Sequence, residues 1–369
     1  MKRSAAWCSV AAVLALSGPV LAQNTLSPGT VRSVSLSGAQ QNEVESFVDR
    51  QLERLSSGEV SEVVAARDAL SEPFGDRDVT VAFRQAFFEA GADRFRAMAE
   101  GEDVAESLLA LFVASRAATD AAVMLIADHL DTELASSRVY ALGRLEEAFR
   151  QSRRATPTID RNTAMEVLVR VGELAAESDE PAVYDAAVRA LIEAGRETQA
   201  ADQGMNQRVR EAARERLAEA VRLRLEREGL SASNPQMLAG TLRAVNGMST
   251  TFLQVEPEEA AVRAMFAAAG RAIGEALRLV ERDEAPSTGS AGEYVAAILG
   301  NAEQVIQRGR DRMRRVARVQ DAGTPTQLRA LYERQDTRSF RVEALKLIGS
   351  EGTLPRVYGI DSASLTGSE

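Results

Sequence analysis

Few side chains in this chain could carry nucleophilic, acid–base or metal chemistry. The sequence holds one histidine, His129, one cysteine, Cys8, and two lysines, of which only Lys346 lies away from the amino terminus. A Ser-His-Asp triad would need His129 as its base, and a Ser-Lys pair would need Lys346. No Gly-x-Ser-x-Gly elbow occurs in the sequence. We therefore expect no catalytic residues and no enzymatic activity.

His129 is also the only residue that suggests a metal site. Glu133 follows it by one helical turn, so the two side chains could share a metal ion. No second histidine is present to complete a usual zinc set, and the single cysteine lies far away in sequence. A surface or helix-capping histidine, or one paired with Glu133, fits the sequence better. We expect no metal site and no cofactor.

Carboxylates offer the one other route to catalysis. Helical toroids that cleave glycans use a pair of acids, and the chain has 54 Asp and Glu residues from which to draw one. Such sites also stack sugars on aromatic side chains, whereas this chain has one Trp and five Tyr. A carboxylate-based hydrolase on a helical toroid therefore stays an alternative.

The most specific polar feature is a run of arginines beside an apolar helical stripe near the carboxyl end. Helices exposed to solvent usually mix their charges, but here Asp311 alone interrupts the series. Such a run requires acidic partners, which are either neighbouring helices of the same chain, another protein, or an anionic lipid or polysaccharide. As a candidate partner-binding site it comprises Arg308, Arg310, Arg312, Arg314, Arg315 and Arg318.

The first 22 residues have the pattern of a secretory signal peptide. Lys2 and Arg3 precede an apolar stretch over 5–16, and small side chains at Val20 and Ala22 suit cleavage before Gln23. We expect an exported protein, periplasmic or extracellular. Cys8 and the only Trp would be removed with the leader, so no disulfide could staple the product.

Charge and hydropathy exclude two classes of partner. The formal charge is −10, and loss of Lys2 and Arg3 makes it −12 (−10 − 2). A net acidic protein repels polyphosphate, so we expect no nucleic-acid partner. No apolar run approaches the roughly 20 residues that span a bilayer, so no transmembrane segment is predicted.

Alanine-rich apolar stripes with a period of 3.6 residues predict an all-α fold. Pro181, Pro235, Pro257 and Pro325 lie where a first helical turn should begin, a position that tolerates a missing N–H. No period-2 strand with a hairpin turn is evident. After two stripes within 44–70, the predicted helices cover 78–98, 102–116, 118–131, 133–150, 160–177, 181–198, 204–229, 235–248, 257–282, 291–320, 325–334 and 338–349.

The predicted helices form one long domain, and the segments before and after it have few helix signals. Residues 23–37 are predicted to be a flexible amino-terminal segment, and 38–349 a repeat-like helical domain. Its possible sub-boundaries lie near 151–159 and 283–290, where turn-forming residues collect. The tail, 350–369, has few helix signals and is expected to be partly disordered.

Consecutive short helices with wide apolar faces favour stacked helix pairs. The segment Thr324–Gly349 has a Pro-started helix, Asp336 at the turn, then Arg341 and Val-x-Ala-Leu-x-x-Ile-Gly, and it resembles a HEAT repeat. Residues 137–145 and 181–195 resemble the same pattern. The resemblance implies an irregular HEAT-like (armadillo-type) α-solenoid that binds other macromolecules without catalytic residues. Two packed helical bundles are the alternative architecture.

Taken together, the sequence predicts a non-catalytic exported scaffold or adaptor that holds a protein or peptide along a concave helical surface. Two other functions stay open. One is the carboxylate-based hydrolase; the other is an envelope binding protein for an anionic ligand, with Arg308, Arg312 and Arg315 as its contacts.

Overall fold

The computed structural model describes residues 25–57, 59–154, 158–197, 206–285, 289–316 and 326–366. Within these ranges the chain is helical and contains no β-strand. The predicted leader, 1–22, with Cys8 and the cleavage site, lies outside the described residues.

Seventeen α-helices follow one another through the described ranges. The predicted helices from 78 to 349 each have a counterpart, with ends shifted by a few residues. In chain order the helices are α1 Pro28–Val31, α2 Gly38–Leu55, α3 Val60–Ser71, α4 Val81–Glu100, α5 Val104–Ala117, α6 Asp120–Asp128, α7 Ala135–Arg154, α8 Arg161–Glu177, α9 Pro181–Ala194, α10 Gln207–Glu228, α11 Pro235–Gln254, α12 Glu259–Glu281, α13 Gly289–Val316, α14 Leu328–Glu333, α15 Thr337–Ile348, α16 Thr353–Tyr358 and α17 Ser362–Thr366.

Most of these helices begin where a short polar side chain can cap free N–H groups. Ser37 and Gln40 form a reciprocal capping box at the start of α2. Asn234 caps α11 directly before Pro235, and its side chain accepts from the amide of Met237 at 3.1 Å. Pro181 begins α9 without a side-chain cap. Local sequence therefore fixes where many helices start.

The helices stack in two layers. The first layer contains α3, α5, α7, α9, α11 and α13, and the second contains α2, α4, α6, α8, α10 and α12; within each layer, helices two apart in sequence pack against each other. Successive pairs such as α9 and α10, or α12 and α13, connect the layers. This arrangement is a HEAT-like α-solenoid, which confirms the predicted fold class.

Two glycines show how closely the stacked helices approach. A Cβ on Gly172 of α8 would meet the side chain of Arg216 on α10 at 3.5 Å. A Cβ on Gly240 of α11 would collide at 2.7 Å with the ring of Tyr184 on α9. Gly240 therefore gives the ring the space in which it is fully buried.

The amino-terminal end of the stack has an aromatic core. Phe87 of α4 lies 4.9 Å from Phe74, 5.7 Å from Phe83 and 6.3 Å from Phe47 between ring centroids. All four side chains are buried. Since the rest of the core is dominated by alanine and branched aliphatic residues, this cluster contributes much of the apolar area that anchors α2 to α4.

The carboxyl-terminal segment packs on the last long helix of the second layer. Helices α15, α16 and α17 all contact α12. Leu365 of α17 is fully buried, because Gly270 and Gly274 leave an open strip on α12 where any Cβ would strike Leu365. The segment that the sequence suggested to be partly disordered thus includes two short helices that close the end of the stack.

None of the helices in the described ranges is long and apolar enough to cross a membrane.

Candidate binding surface

A chain of ion pairs runs across the outer side of four first-layer helices. Arg116 of α5 lies 2.9 Å from Glu147 of α7, and Arg150 joins Glu147 to Glu146 at 2.7 Å each. These three helix-surface pairs link α5 to α7 and leave Glu146 facing α9.

The chain continues over the next two helices. Arg189 of α9 lies 3.4 Å from Glu146 and 3.3 Å from Asp185, and Arg243 of α11 lies 2.7 Å from Asp185. Each carboxylate is thus shared by two arginines. We call this surface the arginine face, defined by Arg116, Arg144, Arg150, Arg189 and Arg243 with Glu146, Glu147 and Asp185.

The arginine face has a charge opposite to that of the whole chain. Helices α5, α7, α9 and α11 together carry eight Arg and five Asp or Glu residues, a balance of +3 (8 − 5), whereas the chain carries −10. Since exposed ion pairs contribute only about 0–1 kcal/mol each to stability, this chain of ion pairs is not needed to hold the fold together. The excess of arginine over acidic residues gives these helices a positive electrostatic potential.

Aromatic rings hold two of these guanidinium groups in place at the α5–α7 end of the face. Arg144 lies 5.8 Å from the ring centroid of Phe112 and 5.0 Å from that of Tyr140. Arg116 lies 5.9 Å from the same Phe112 ring. The hydroxyl of Tyr140 donates to the carbonyl of Leu108 at 2.9 Å, which fixes the ring between α5 and α7. Burial raises the pKa of Tyr140, against the opposing charges of Arg144 and Arg67.

One guanidinium group on this face lacks a polar partner. The side chain of Arg144 forms no hydrogen bond or ion pair with any described residue, and its Nε is buried and unsatisfied. In an acidic protein, an arginine without a carboxylate partner is unexpected. Its two terminal nitrogens are not fully buried, so their N–H groups are available to a partner molecule.

The predicted arginine run lies at the end of α13, and part of it is bound inside the molecule. Arg308 donates to the carbonyl of Ser249 at 2.7 Å and to its hydroxyl at 2.8 Å. Arg312 donates to the carbonyl of Pro257 at 3.1 Å and pairs with Glu256 at 2.5 Å. These contacts join α13 to the end of α11 and the start of α12.

The other members of the run differ in exposure. Arg310 is only 7 % exposed. The side chains of Arg314 and Arg315 are 44 % and 64 % exposed, with carboxylates at 4.0 Å and 3.4 Å. Arg318 lies outside the described residues.

His129 occupies a structural position between two helices. Its Nδ1 lies 3.1 Å from the carbonyl oxygen of Leu125 and its Nε2 lies 2.8 Å from that of Ala99. Because both nitrogens face backbone carbonyls, neither presents a lone pair to a metal. Among the described residues, no group of three or more His, Cys, Asp or Glu side chains is placed to bind one.

Buried arginines have a second role, which sequence reasoning missed. Their guanidinium groups donate to carbonyls at the ends of neighbouring helices. The favourable sign of the helix dipole adds to this contact. The pairs are Arg84 with the carbonyls of Arg116 and Ala117, Arg214 with that of Gly195, Arg224 with that of Ser178, and Arg271 with that of Leu225. The exposed Arg263 donates in the same way to the carbonyl of Tyr358.

Three carboxylates are buried, and each is bound by arginine. Glu193 pairs with Arg153 and, at 3.2 Å, with Arg196. Glu275 pairs with Arg271 at 2.7 Å and accepts a hydrogen bond from Arg278 at 2.9 Å. Burial raises the pKa of Glu275, against the opposing charges of these arginines.

Glu211 is buried too, where it pairs with Arg214 and caps α12 by accepting from the amide of Glu258 at 3.2 Å. Burial raises its pKa as well. These acids therefore serve as helix caps and ion-pair partners.

The raised pKa of Glu275 predicts a measurable pH dependence. A carboxylate whose folded pKa is raised contributes stability at low pH that is lost as the pH rises through that pKa. Glu275→Gln removes this contribution, so the free energy of unfolding of the wild type relative to the variant should rise as the pH falls from neutral toward the ordinary glutamate pKa of 4.5. Urea denaturation of both proteins at several pH values measures it; a relative stability that falls over this range contradicts the assignment.

A cavity of about 550 Å³ opens between the start of α13 and the turn after α14. Apolar side chains including Val280, Leu331 and Phe340 line it, together with the carboxylates of Glu293 and Glu333. Its charge suits a cationic group and does not suit the anionic ligand considered from the sequence.

Comparisons with known proteins add little to this geometry. No family model matches the chain, and no curated protein matches it. The chain is similar in structure to an engineered protein solved by a structural genomics consortium, at 15 % identity and TM-score 0.36, over 69 % of this chain and 98 % of that one. It is similar to a designed armadillo repeat protein at 13 % identity and TM-score 0.33, over 69 % and 99 %. The solenoid assignment therefore rests on the helix contacts described above.

Proposed function

We propose that the protein is a non-catalytic scaffold that binds a protein or peptide partner over the arginine face. Helical solenoids expose long surfaces on stacked helices and commonly bind other proteins through them. The observation that carries the proposal is the ion-pair chain from Arg116 to Arg243, which crosses four helices, together with Arg144, which lies beside it without a hydrogen-bond or ion-pair partner among the described residues.

The state of the buried side chains supports a non-catalytic role. Glu193, Glu211 and Glu275 are bound to arginines, and His129 bonds to backbone carbonyls, so each has a structural partner. A glycosidase acid–base pair requires two carboxyls that face a shared space for substrate. These three face other helices of the stack.

The arginines at the end of α13 form a second part of the proposed surface. Arg314 and Arg315 are exposed and only weakly paired, so they are available to an acidic partner. Arg308, Arg310 and Arg312, which have contacts inside the molecule or are buried, would position them. The proposal also includes export, which is supported by the leader pattern over 1–22 and predicts a product that begins at Gln23.

Site-specific photocrosslinking in the source cells tests the proposed function. A photoreactive residue at position 243, on the arginine face, should capture a partner in the exported fraction. The same residue at Arg161, exposed on α8 in the second layer, should capture little. Salt near 0.5 M, added before irradiation, should reduce this capture, because exposed charge contacts are screened.

Two outcomes contradict the proposal. One is equal capture, or none, at positions 243 and 161 at native abundance and low salt. The other concerns export alone. An amino-terminal sequence that begins at Met1, in material from the cytosol, would contradict export but would not bear on partner binding by the arginine face.

A further inference from the structure

We propose that the cluster of Phe112, Arg116, Tyr140 and Arg144 recognises the carboxylates of an acidic peptide segment. The inference rests on the proposed function, since it names the chemistry of the partner bound at one end of the arginine face. We call this set the α5–α7 cluster.

Arg144 is the centre of the cluster because aromatic rings fix the position of its guanidinium, while no hydrogen bond or ion pair engages it. Two rings, at 5.0 Å and 5.8 Å, fix its position, and no described residue accepts a hydrogen bond from it. A guanidinium with fixed orientation and free donors matches a carboxylate in a bidentate pair. Little side-chain entropy remains to be lost on binding, which favours affinity.

Arg116 supplies a second cation close to the same Phe112 ring. Its guanidinium lies 5.9 Å from Phe112 and donates to Glu147 at 2.9 Å, while its Nε remains unsatisfied. Glu147 also binds Arg150, so it neutralises only part of the local charge. Two cations around one ring suit a partner with more than one carboxylate.

Exposed apolar side chains at the amino-terminal ends of α5 and α7 indicate a peptide instead of a small anion. Val104 begins α5 and Leu134 precedes α7, so each lies about 12–15 Å along its helix from the rings and guanidinium groups of the cluster, a distance that an extended peptide spans in about four or five residues. Each is 62 % exposed. An acidic segment with an apolar residue could cover one of them while its carboxylates reach Arg144 and Arg116. Nucleic acid is a poorer match because the chain as a whole is acidic.

Fluorescence anisotropy with defined probes tests the inference. The probe is a fluorescein-labelled 12-residue peptide of Glu and Leu, and its matched control replaces each Glu by Lys. The wild-type protein should bind the Glu peptide, with affinity that falls between about 50 and 300 mM salt, and should not bind the Lys peptide. Arg144→Gln should weaken binding about tenfold, because it removes a charge-assisted bidentate contact.

Two further variants separate recognition from charge and folding. Arg161→Gln removes one exposed cation from the second layer and should change the affinity less than about twofold. Arg144→Lys keeps the charge without the planar fork, so its affinity should fall between those of the wild type and Arg144→Gln. Thermal unfolding of Arg144→Gln should match that of the wild type.

Several results overturn the inference. Equal binding by the wild type and Arg144→Gln does so, as does preference for the Lys peptide. Displacement of the peptide by equimolar tripolyphosphate shows a general anion site instead. Self-association that disappears in Arg144→Gln, with no peptide binding, shows that a second copy of the chain covers the cluster.

The two proposals can fail separately. Partner capture at position 243 without binding of the Glu peptide supports the scaffold function and contradicts the recognition of an acidic segment by the α5–α7 cluster. Binding of the Glu peptide that depends on Arg144, with no capture at position 243, supports the cluster and contradicts the wider partner-binding function.

Discussion

The substitution Arg224→Ala is expected to lower the free energy of unfolding by about 3 kcal/mol, since it leaves buried polar groups without a partner. Arg224 is fully buried, lies 4.7 Å above the ring of Tyr184, and donates to Ser178 and Glu228. Through these contacts it joins the end of α8 to α9 and α10. Burial lowers the pKa of Arg224, in keeping with a guanidinium that depends on its partners.

Arg222→Ala is the matched control, because it makes the same change two residues earlier on the same helix. Arg222 pairs with Glu219 and Glu226 of its own helix. Pairs of this kind contribute about 0.5 kcal/mol. Denaturant midpoints at unchanged slope measure both effects. Equal losses for the two variants would show that Arg224 does not connect the layers.

Phe87→Ala is expected to lower the free energy of unfolding by about 4 kcal/mol, the typical loss for a buried phenylalanine that leaves a cavity. Phe87 is fully buried and contacts three other rings of the amino-terminal core. Phe87→Leu keeps most of the volume and should lose about 1 kcal/mol.

The loss caused by Phe87→Ala should also be local. In a solenoid each element contacts mainly its neighbours, so stability is approximately a sum of local terms. Hydrogen exchange should therefore accelerate in α2 to α5 and change little in α10 to α12. Uniform acceleration along the chain would indicate one cooperative globule and would contradict the stacked arrangement.

The helices could be predicted from the sequence because their signals are local. Pro181 and Pro235 begin α9 and α11 as expected, and the predicted 160–177 matches α8 to within one residue. The start of α14 differs. The sequence predicts a first helical turn at Pro325, but Pro325 lies outside the described residues and α14 begins at Leu328.

The acceptor that caps α14 comes from another helix. Glu303 of α13 accepts from the amide of Leu328 at 2.7 Å and from the hydroxyl of Thr326 at 2.6 Å. A cap supplied from 25 residues away cannot be found by a local pattern.

The arginine face was missed for a related reason. No local pattern shows that Arg84, Arg214 and Arg224 are buried against the ends of other helices. Only stacking brings Glu146 beside Arg189, or Asp185 beside Arg243. One local sign was available: Arg and Glu spaced three and four apart in α7 mark an exposed, paired helix surface.

The arginine face exists only if helices two apart in sequence are direct neighbours, and a designed disulfide tests that contact. A Cβ at position 172 of α8 would lie 3.5 Å from the Cβ of Arg216 on α10, within the roughly 3.5–4.5 Å found in natural disulfides. Gly172→Cys with Arg216→Cys should therefore crosslink fully under mild oxidation, as peptide mapping would detect. Gly143→Cys with Arg216→Cys should not, since position 143 of α7 has no neighbour within 4 Å. Free thiols at 172 and 216, or equal crosslinking by both pairs, would contradict the stack and the surface proposed on it.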